Sequence, residues 1–134
     1  MSNCIFCSIV EGRIPAYVIY QDEFYLAIMD RYPSAKGHVL ILPKRHVADV
    51  HGLNQAEAAA LIPIAQKVSD KMRDTLRIAG LNLLQNNGKA AGQEIAHFHL
   101  HLIPRYENDG LKFAAKPTSP SEEELELLAG KLKL

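Results

Sequence analysis

The sequence has no excess of charge of either sign. Lysine and arginine together number 15, aspartate and glutamate also number 15, and the formal net charge at pH 7 is zero. Proteins that bind long nucleic acids or membrane surfaces usually have an overall basic balance. We therefore expect no long nucleic acid and no membrane among the partners, and we expect any phosphate to be bound at one local site.

Long apolar runs and a targeting segment are also missing. No stretch approaches the ~18 apolar residues of a membrane-spanning helix. The first residues, Met1-Ser2-Asn3-Cys4, lack the basic and then apolar arrangement of a signal peptide. We therefore expect a cytoplasmic protein.

Cysteine is scarce as well. The only two cysteines, Cys4 and Cys7, are separated by two residues. In a reducing compartment this spacing indicates metal binding or redox chemistry more than a structural disulfide, although the motif alone has little specificity.

The hydrophobic pattern predicts one α+β domain, and 134 residues are enough to bury a core without disulfides. Short runs of aromatic and branched residues between turn signals predict strands. In chain order we expect a short helix over residues 4–11, a β-hairpin over residues 17–20 and 24–30, a strand over residues 38–42 that is buried on both faces, and a strand over residues 81–85.

The longest predicted element is a helix that begins after Asn54. Glu57 follows three residues later, which is typical of a capping box, and apolar residues then recur at spacings of three and four. Pro63 lies inside this pattern, so we expect either a bend or a later start. After residue 106 the chain is polar, and Ser121 with Glu124 predicts a short C-terminal helix.

Histidine alternates with large apolar residues over residues 97–104. A period of two is typical of a strand, so Phe98, Leu100 and Leu102 should enter the core. The same alternation predicts that three histidines line the opposite face, roughly 6 to 7 Å apart at the usual rise of a strand. These histidines are His97, His99 and His101.

Of several neighbouring imidazoles, one can act as a nucleophile, another as an acid and a third as an anion binder, because imidazole titrates near neutral pH. This combination suits phosphoryl or nucleotidyl transfer. A metal centre is the alternative, since two histidines two residues apart can bind one zinc ion together with a third ligand. The spacing leaves both interpretations open.

The stretch His97-Phe98-His99-Leu100-His101-Leu102-Ile103 resembles the His-x-His-x-His motif of the histidine-triad (HIT) superfamily of nucleotidyl hydrolases and transferases. Other segments extend the resemblance over most of residues 4–106, and the N-terminal segment is similar to that of the bacterial, zinc-containing Hit/Hint-like branch. These segments are Cys4-Ile5-Phe6-Cys7, Ile14-Pro15, Gly37–Pro43, and the loop with Asn86, Gly88 and Gly92-Gln93.

The resemblance implies a histidine-triad fold, with an antiparallel sheet of about five strands, one long helix and short terminal helices. It implies a single domain over residues 1–134, in which residues 4–106 form the core and residues 107–134 form a tail with a short helix. Members of this superfamily pair as two-fold dimers, so a homodimer is implied as well.

The resemblance also implies a reaction. His99 would attack the α-phosphorus of an adenosine or other purine nucleotide conjugate and form a covalent nucleotidyl-histidine, from which water releases the nucleoside monophosphate. The conjugate would be a dinucleoside polyphosphate or a nucleoside phosphoramidate. The implied catalytic residues are His99, His101, His38 and His97, and the implied substrate contacts are Asn86, Gln93, Gly92 and Glu94 at the phosphate or leaving group, Asp30 at the ribose and Ile28 at the base.

The same resemblance implies a structural zinc ion and no organic cofactor. A site of two thiolates and two imidazoles is closed and tetrahedral, so it leaves no position for an activating water. The implied ligands are Cys4, Cys7, His46 and His97.

Two alternatives to a nucleotide hydrolase with structural zinc stay open. One is a nucleotide-binding or protein-interaction module with little activity, and the other is a metal-dependent hydrolase. Glu94 departs from the Hint-type phosphoramidases, which usually have a small hydroxyl residue there. A carboxylate at this position would repel a polyphosphate unless it points away, so the substrate class also stays open.

Overall fold

The structure, a computed structural model, describes residues 3–134. Five strands form one antiparallel sheet in the order β1-β2-β3-β5-β4. The predicted α+β architecture, with one long helix and short terminal helices, is confirmed. In chain order the elements are α1 (Ile5–Val10), β1 (Val18–Gln21), β2 (Tyr25–Met29), β3 (Val39–Pro43), α2 (Gln55–Leu76), β4 (Gly80–Leu84), β5 (Leu100–Arg105) and α3 (Glu122–Leu132).

The sheet separates two apolar clusters because alternate side chains of a strand point to opposite faces. The first cluster includes Ile41 from β3 and Leu102 from β5, and the helix α2 covers it with Ile64, Val68 and Met72. The second cluster lies on the other face and joins Phe6 of α1 to apolar residues of β2 and β3. As predicted, β3 is buried on both faces. The second cluster consists of Phe6, Leu26, Ile28, Leu40 and Leu42.

Helix α2 begins where its capping box predicts. The side chain of Asn54 accepts a hydrogen bond from the amide of Glu57, and the Glu57 carboxylate accepts one from the amide of Asn54. The expectation of a later start is therefore wrong, because the capping box fixes the first turn ahead of Pro63. The buried stripe continues past the proline to Met72.

The strand that carries the histidines is shorter than predicted. It begins at Leu100, so His97 and His99 precede it and only His101 lies within it. The reason is that the partner strand β3 ends at Pro43, which has no N–H to continue the ladder. The amide of Phe98 instead donates to the carbonyl of Val47, at 2.7 Å. The apolar half of the prediction is confirmed, since Phe98, Leu100 and Leu102 are all buried in the first cluster.

The C-terminal helix α3 contributes no residue to either apolar cluster of the described residues. All of its residues are exposed, including Leu125, Leu128 and Leu132, which recur at helical spacing. Among residues 3–134, no helix combines the length and the apolar character that a membrane crossing requires.

Candidate active site

Helix α1 brings both cysteines to two of the histidines. The Cys7 sulfur lies 3.1 Å from Nδ1 of His46 and 3.6 Å from Nδ1 of His97, and the Cys4 sulfur lies 3.4 Å from the same nitrogen of His97. All four donor atoms lie within 4.8 Å of one another. We call these four residues the cysteine-histidine cluster.

The cysteine-histidine cluster has the dimensions of a zinc site. A tetrahedral zinc ion with ordinary bond lengths separates its sulfur and nitrogen ligands by about 3.3 to 3.8 Å. The contacts of His97 also suit a ligand, because its Nε2 lies 2.8 Å from the carbonyl oxygen of Pro43 and must carry the proton. Its Nδ1 therefore presents a lone pair to the sulfurs, an arrangement that is common for metal-bound histidine.

Burial keeps the His97 imidazole neutral. His97 is fully buried, and removal from water lowers its pKa. Burial raises the pKa of the Cys7 thiol, a shift that a bound cation would reverse by favouring the thiolate. The cluster is thus a set of donors that a divalent cation would stabilise.

His99 lies beside this cluster with its protonation pattern fixed by the backbone. Its Nδ1 is 2.8 Å from the carbonyl oxygen of His97. A carbonyl only accepts hydrogen bonds, so Nδ1 carries the proton and Nε2 of the neutral ring has a free lone pair. The ring is half-buried, and its centroid lies 5.0 Å from that of Phe6 and 4.9 Å from that of His101. A neutral imidazole with an available Nε2 is a competent nucleophile.

The other two histidines form a chain of hydrogen bonds that starts at a backbone amide. The amide of Ser34 donates to Nδ1 of His38 at 3.0 Å, so the proton of His38 is on Nε2. Nε2 of His38 lies 3.0 Å from Nδ1 of His101 and donates to it. His101 must then carry its own proton on Nε2. The chain thus ends in an N–H donor on the residue adjacent in space to His99.

Burial stabilises this neutral chain. Removal from water lowers the pKa of His38, and it is also the largest of the effects that lower the pKa of His101 to about 4. Positive charge on His99 or His38 would disfavour protonation of His101 further. At neutral pH both rings therefore keep the tautomers that the Ser34 amide imposes.

Asp30 lies beside the middle of the chain, next to the His38 nitrogen that donates to His101. One carboxylate oxygen accepts from the amide of Tyr32 at 2.8 Å, and the other lies 3.4 Å from Nε2 of His38. Asp30, His38 and His101 present donor atoms within 4.8 Å of one another, as a metal site would. A cation on Nε2 of His38 would have to displace the proton that the Ser34 amide holds there, so the geometry favours a hydrogen-bonded relay over a metal centre.

The loop between β4 and β5 is held together by residues that were predicted to bind the substrate. The Gln93 side chain accepts from the amide of Gly88 at 2.7 Å and donates to the carbonyls of Ala48 and Ile95, at 2.7 and 3.0 Å. The amide of Gly92 donates to the carbonyl of Lys89, and Gly92 has a φ of 88°. Both residues therefore shape the loop through bonds within the protein.

The remaining predicted contacts lie in different surroundings. Asn86 is half-buried, and its Nδ2 lies next to Gly92, where an added β-carbon would be 3.8 Å away. Glu94 is exposed. Ile28 is buried in the second apolar cluster with Phe6, on the face of the sheet opposite to α2.

The sequence did not point to several of the groups that organise this site. The carbonyls of Pro43 and His97 and the amide of Ser34 fix the three tautomers, yet backbone groups have no signature in a sequence. Phe6 contacts the rings of both His97 and His99. The only indication of this role in the sequence was the position of Phe6 between Cys4 and Cys7.

Comparisons with known proteins identify relatives over most of the chain. The family description "HIT domain" matches residues 11–108. The chain is 37% identical over 123 residues to a protein of Schizosaccharomyces pombe named adenosine 5'-monophosphoramidase hnt1, covering 90% of each chain. A crystal structure of a HIT family protein from Bacillus anthracis superposes with a TM-score of 0.89 at 40% identity, covering 97% of this chain and 94% of that one.

A metal-bound relative is also similar. The structure described as a Zn-bound histidine triad family protein from Mycobacterium smegmatis superposes with a TM-score of 0.79 at 38% identity, covering 96% of this chain and 92% of that one.

Proposed function

The chain belongs to the HIT domain family, and from this premise we propose that it cleaves purine nucleotide conjugates at the α-phosphorus through a covalent intermediate on His99. The observation that carries the proposal is the pair of tautomers fixed by the fold. Nε2 of His99 has a free lone pair, and Nε2 of His101, on the neighbouring ring, carries a proton. A nucleophile and a hydrogen-bond donor thus lie together at one half-buried position.

In the first step Nε2 of His99 forms a bond to the α-phosphorus, and the bond from phosphorus to the leaving group breaks. The N–H of His101 donates a hydrogen bond to a phosphate oxygen or to the leaving-group oxygen or nitrogen and so stabilises the charge that develops there. A leaving nitrogen takes up one proton from solvent as its bond to phosphorus breaks, so that it departs as the amine. In the second step water attacks the phosphorus and the P–N bond to His99 breaks. The water oxygen stays on the nucleoside monophosphate, and its proton passes to the leaving group or to solvent.

We assign a supporting role to His97 in this reaction. Its Nε2 is bonded to Pro43 and its Nδ1 faces the cysteines, so its ring has no nitrogen to offer a substrate. Its carbonyl oxygen orients His99. His97 thus acts on the reaction through its backbone and through the cysteine-histidine cluster.

We also propose that the cysteine-histidine cluster holds a structural zinc ion. Two thiolates and two imidazoles close the coordination shell, so the ion supplies stability by tying α1 to the end of β3 and to the segment before β5. A reducing compartment such as the cytoplasm would keep both cysteines free of disulfides, so that a bound cation could take them as thiolates.

The proposed substrate contacts come from two half-buried residues, Asn86 and Asp30, and from the buried Ile28. We propose that Asn86 contacts the phosphate or leaving group, that Asp30 bonds the ribose, and that Ile28 borders the slot for the base. Gln93 and Gly92 act through the shape of their loop. The exposed Glu94 can turn toward solvent, which removes the repulsion that a polyphosphate would otherwise meet.

A homodimer is the proposed assembly. A helix of 11 residues is marginal in water by itself, and α3 exposes three leucines on one stripe. Covering that stripe with a second copy would stabilise the helix. Light scattering across a dilution series tests this assembly.

The reaction is tested by intact mass spectrometry after brief mixing with a diadenosine polyphosphate or an adenosine phosphoramidate. We expect a transient mass gain of one adenylyl group in the wild type and in His51→Ala, which removes an exposed histidine outside the site, and none in His99→Ala. An adduct that persists in His99→Ala would refute the assignment of the nucleophile. Tight nucleotide binding without any adduct in the wild type would favour the binding-module alternative.

A further inference from the structure

Phe6 lies between the cysteine-histidine cluster and the proposed nucleophile. Its side chain is 4% exposed. Its ring centroid is 5.7 Å from that of His97, with the ring planes at 85°, and 5.0 Å from that of His99, with the planes at 68°. Both are edge-to-face contacts, the arrangement that aromatic pairs prefer. One apolar side chain therefore packs against a predicted metal ligand and against the reacting imidazole.

The position of Phe6 depends on the two cysteines. Helix α1 has six residues, far fewer than a helix needs to be stable alone. Its N-cap is Cys4, whose sulfur accepts a hydrogen bond from the amide of Cys7, and both sulfurs belong to the cysteine-histidine cluster. Because Phe6 directly precedes Cys7, any ion that holds the sulfurs also fixes the backbone that carries the Phe6 ring.

The orientation of His99 needs such a support. Its hydrogen bond to the carbonyl of His97 fixes Nδ1 but still allows the ring to tilt and move Nε2. The rings of Phe6 and His101 limit that tilt because both lie about 5 Å away, at 5.0 and 4.9 Å. Removing the Phe6 ring would leave a gap beside the half-buried His99 and let Nε2 leave its line of attack.

We propose that Phe6 is a positioning residue that couples the cysteine-histidine cluster to His99, so that filling the metal site aligns the nucleophile. The kinetic consequence rests on the proposed function, whereas the structural coupling does not. The Phe6 ring thus adds a second route from the metal to His99, beside the hydrogen bond from His99 to the carbonyl of His97, and neither route contacts the substrate.

Kinetics of Phe6→Ala and Phe6→Leu test the positioning role. The matched control is Leu26→Ala, which also empties space in the second apolar cluster. Since a misplacement of about 1 Å can cost about 100-fold in rate, we expect kcat to fall by about 10- to 100-fold in Phe6→Ala, with KM changed by less than about threefold. The control should lose stability but keep kcat. Equal kcat in Phe6→Ala and the control, with both folded and zinc-loaded, would overturn the proposal.

Ring NMR of ¹⁵N-histidine-labelled protein provides a readout that does not need turnover. In the wild type, removal of zinc by a chelator should shift and broaden the His99 signals. In Phe6→Leu, which keeps an apolar side chain and protects the fold, the same removal should change the His99 signals much less. A response to zinc as large as that of the wild type would overturn the coupling. If the wild type turns over no conjugate, the proposed function fails, and these spectra still decide the role of Phe6.

Discussion

The neutral state of His101 predicts a specific dependence of stability on pH. Its pKa in the folded protein is about 4, chiefly because burial disfavours the charged ring, whereas an unfolded chain has a histidine pKa of about 6.5. Between these two values the unfolded state binds a proton that the folded state does not. The contribution of His101 to stability is therefore fully present above about pH 6.5 and is lost as the pH falls toward 4.

The expected size follows from the two pKa values. Each unit of difference corresponds to about 1.4 kcal/mol, so the full shift is worth about 3 kcal/mol as an upper value. At pH 4.5 most of this is already lost, about 2.5 kcal/mol relative to pH 7.5. The ring is half-buried, which makes a smaller loss, on the order of 2 kcal/mol, the working expectation.

Urea unfolding of the wild type and of His101→Gln at pH 7.5 and 4.5 measures this loss. Glutamine keeps a hydrogen-bonding side chain but does not titrate, and both proteins retain the same cysteine-histidine cluster, whose own protonation cancels in the comparison. The wild type should lose about 2 kcal/mol more than the variant between the two pH values. Equal losses, or an NMR titration of His101 with a midpoint near the unfolded value, would refute the reasoning.

Three further predictions concern other parts of the molecule. Arg45→Leu removes the cation that is bonded to the Glu57 carboxylate at 2.6 and 3.2 Å. Glu57 is only 2% exposed, so water cannot replace that partner. Urea unfolding should show a loss on the order of 2 kcal/mol, and no loss would contradict it. Gly37→Ala should lower the free energy of unfolding by about 1 to 3 kcal/mol in the same assay, because Gly37 has a φ of 90° and its new β-carbon would meet Leu76 Cδ1 at 2.5 Å. An unchanged free energy of unfolding would contradict both the backbone strain and the close contact. Chelation should lower the Tm, and zinc should restore it; loss of activity at constant Tm would instead indicate a catalytic metal.

The pattern of the sequence was sufficient for the order of the main helices and strands and for the family, although not for every boundary. The capping box of Asn54 and Glu57 placed the start of α2, because a cap is formed by residues that are neighbours in the chain. Alternation placed Phe98, Leu100 and Leu102 in the core, because the period of a strand alone assigns side chains to faces.

The tertiary structure determined the role and the protonated nitrogen of each histidine. The sequence predicted that His97, His99 and His101 line one face of a single strand. In the structure β3 ends at Pro43, so His97 lies outside the paired strand and its ring contacts the cysteines of the cysteine-histidine cluster. The backbone groups of Pro43, His97 and Ser34 then set which nitrogen of each ring is protonated. Every residue except proline has the same amide and carbonyl, so a sequence cannot tell which of them will face an imidazole. Only the folding of distant segments against one another makes that choice.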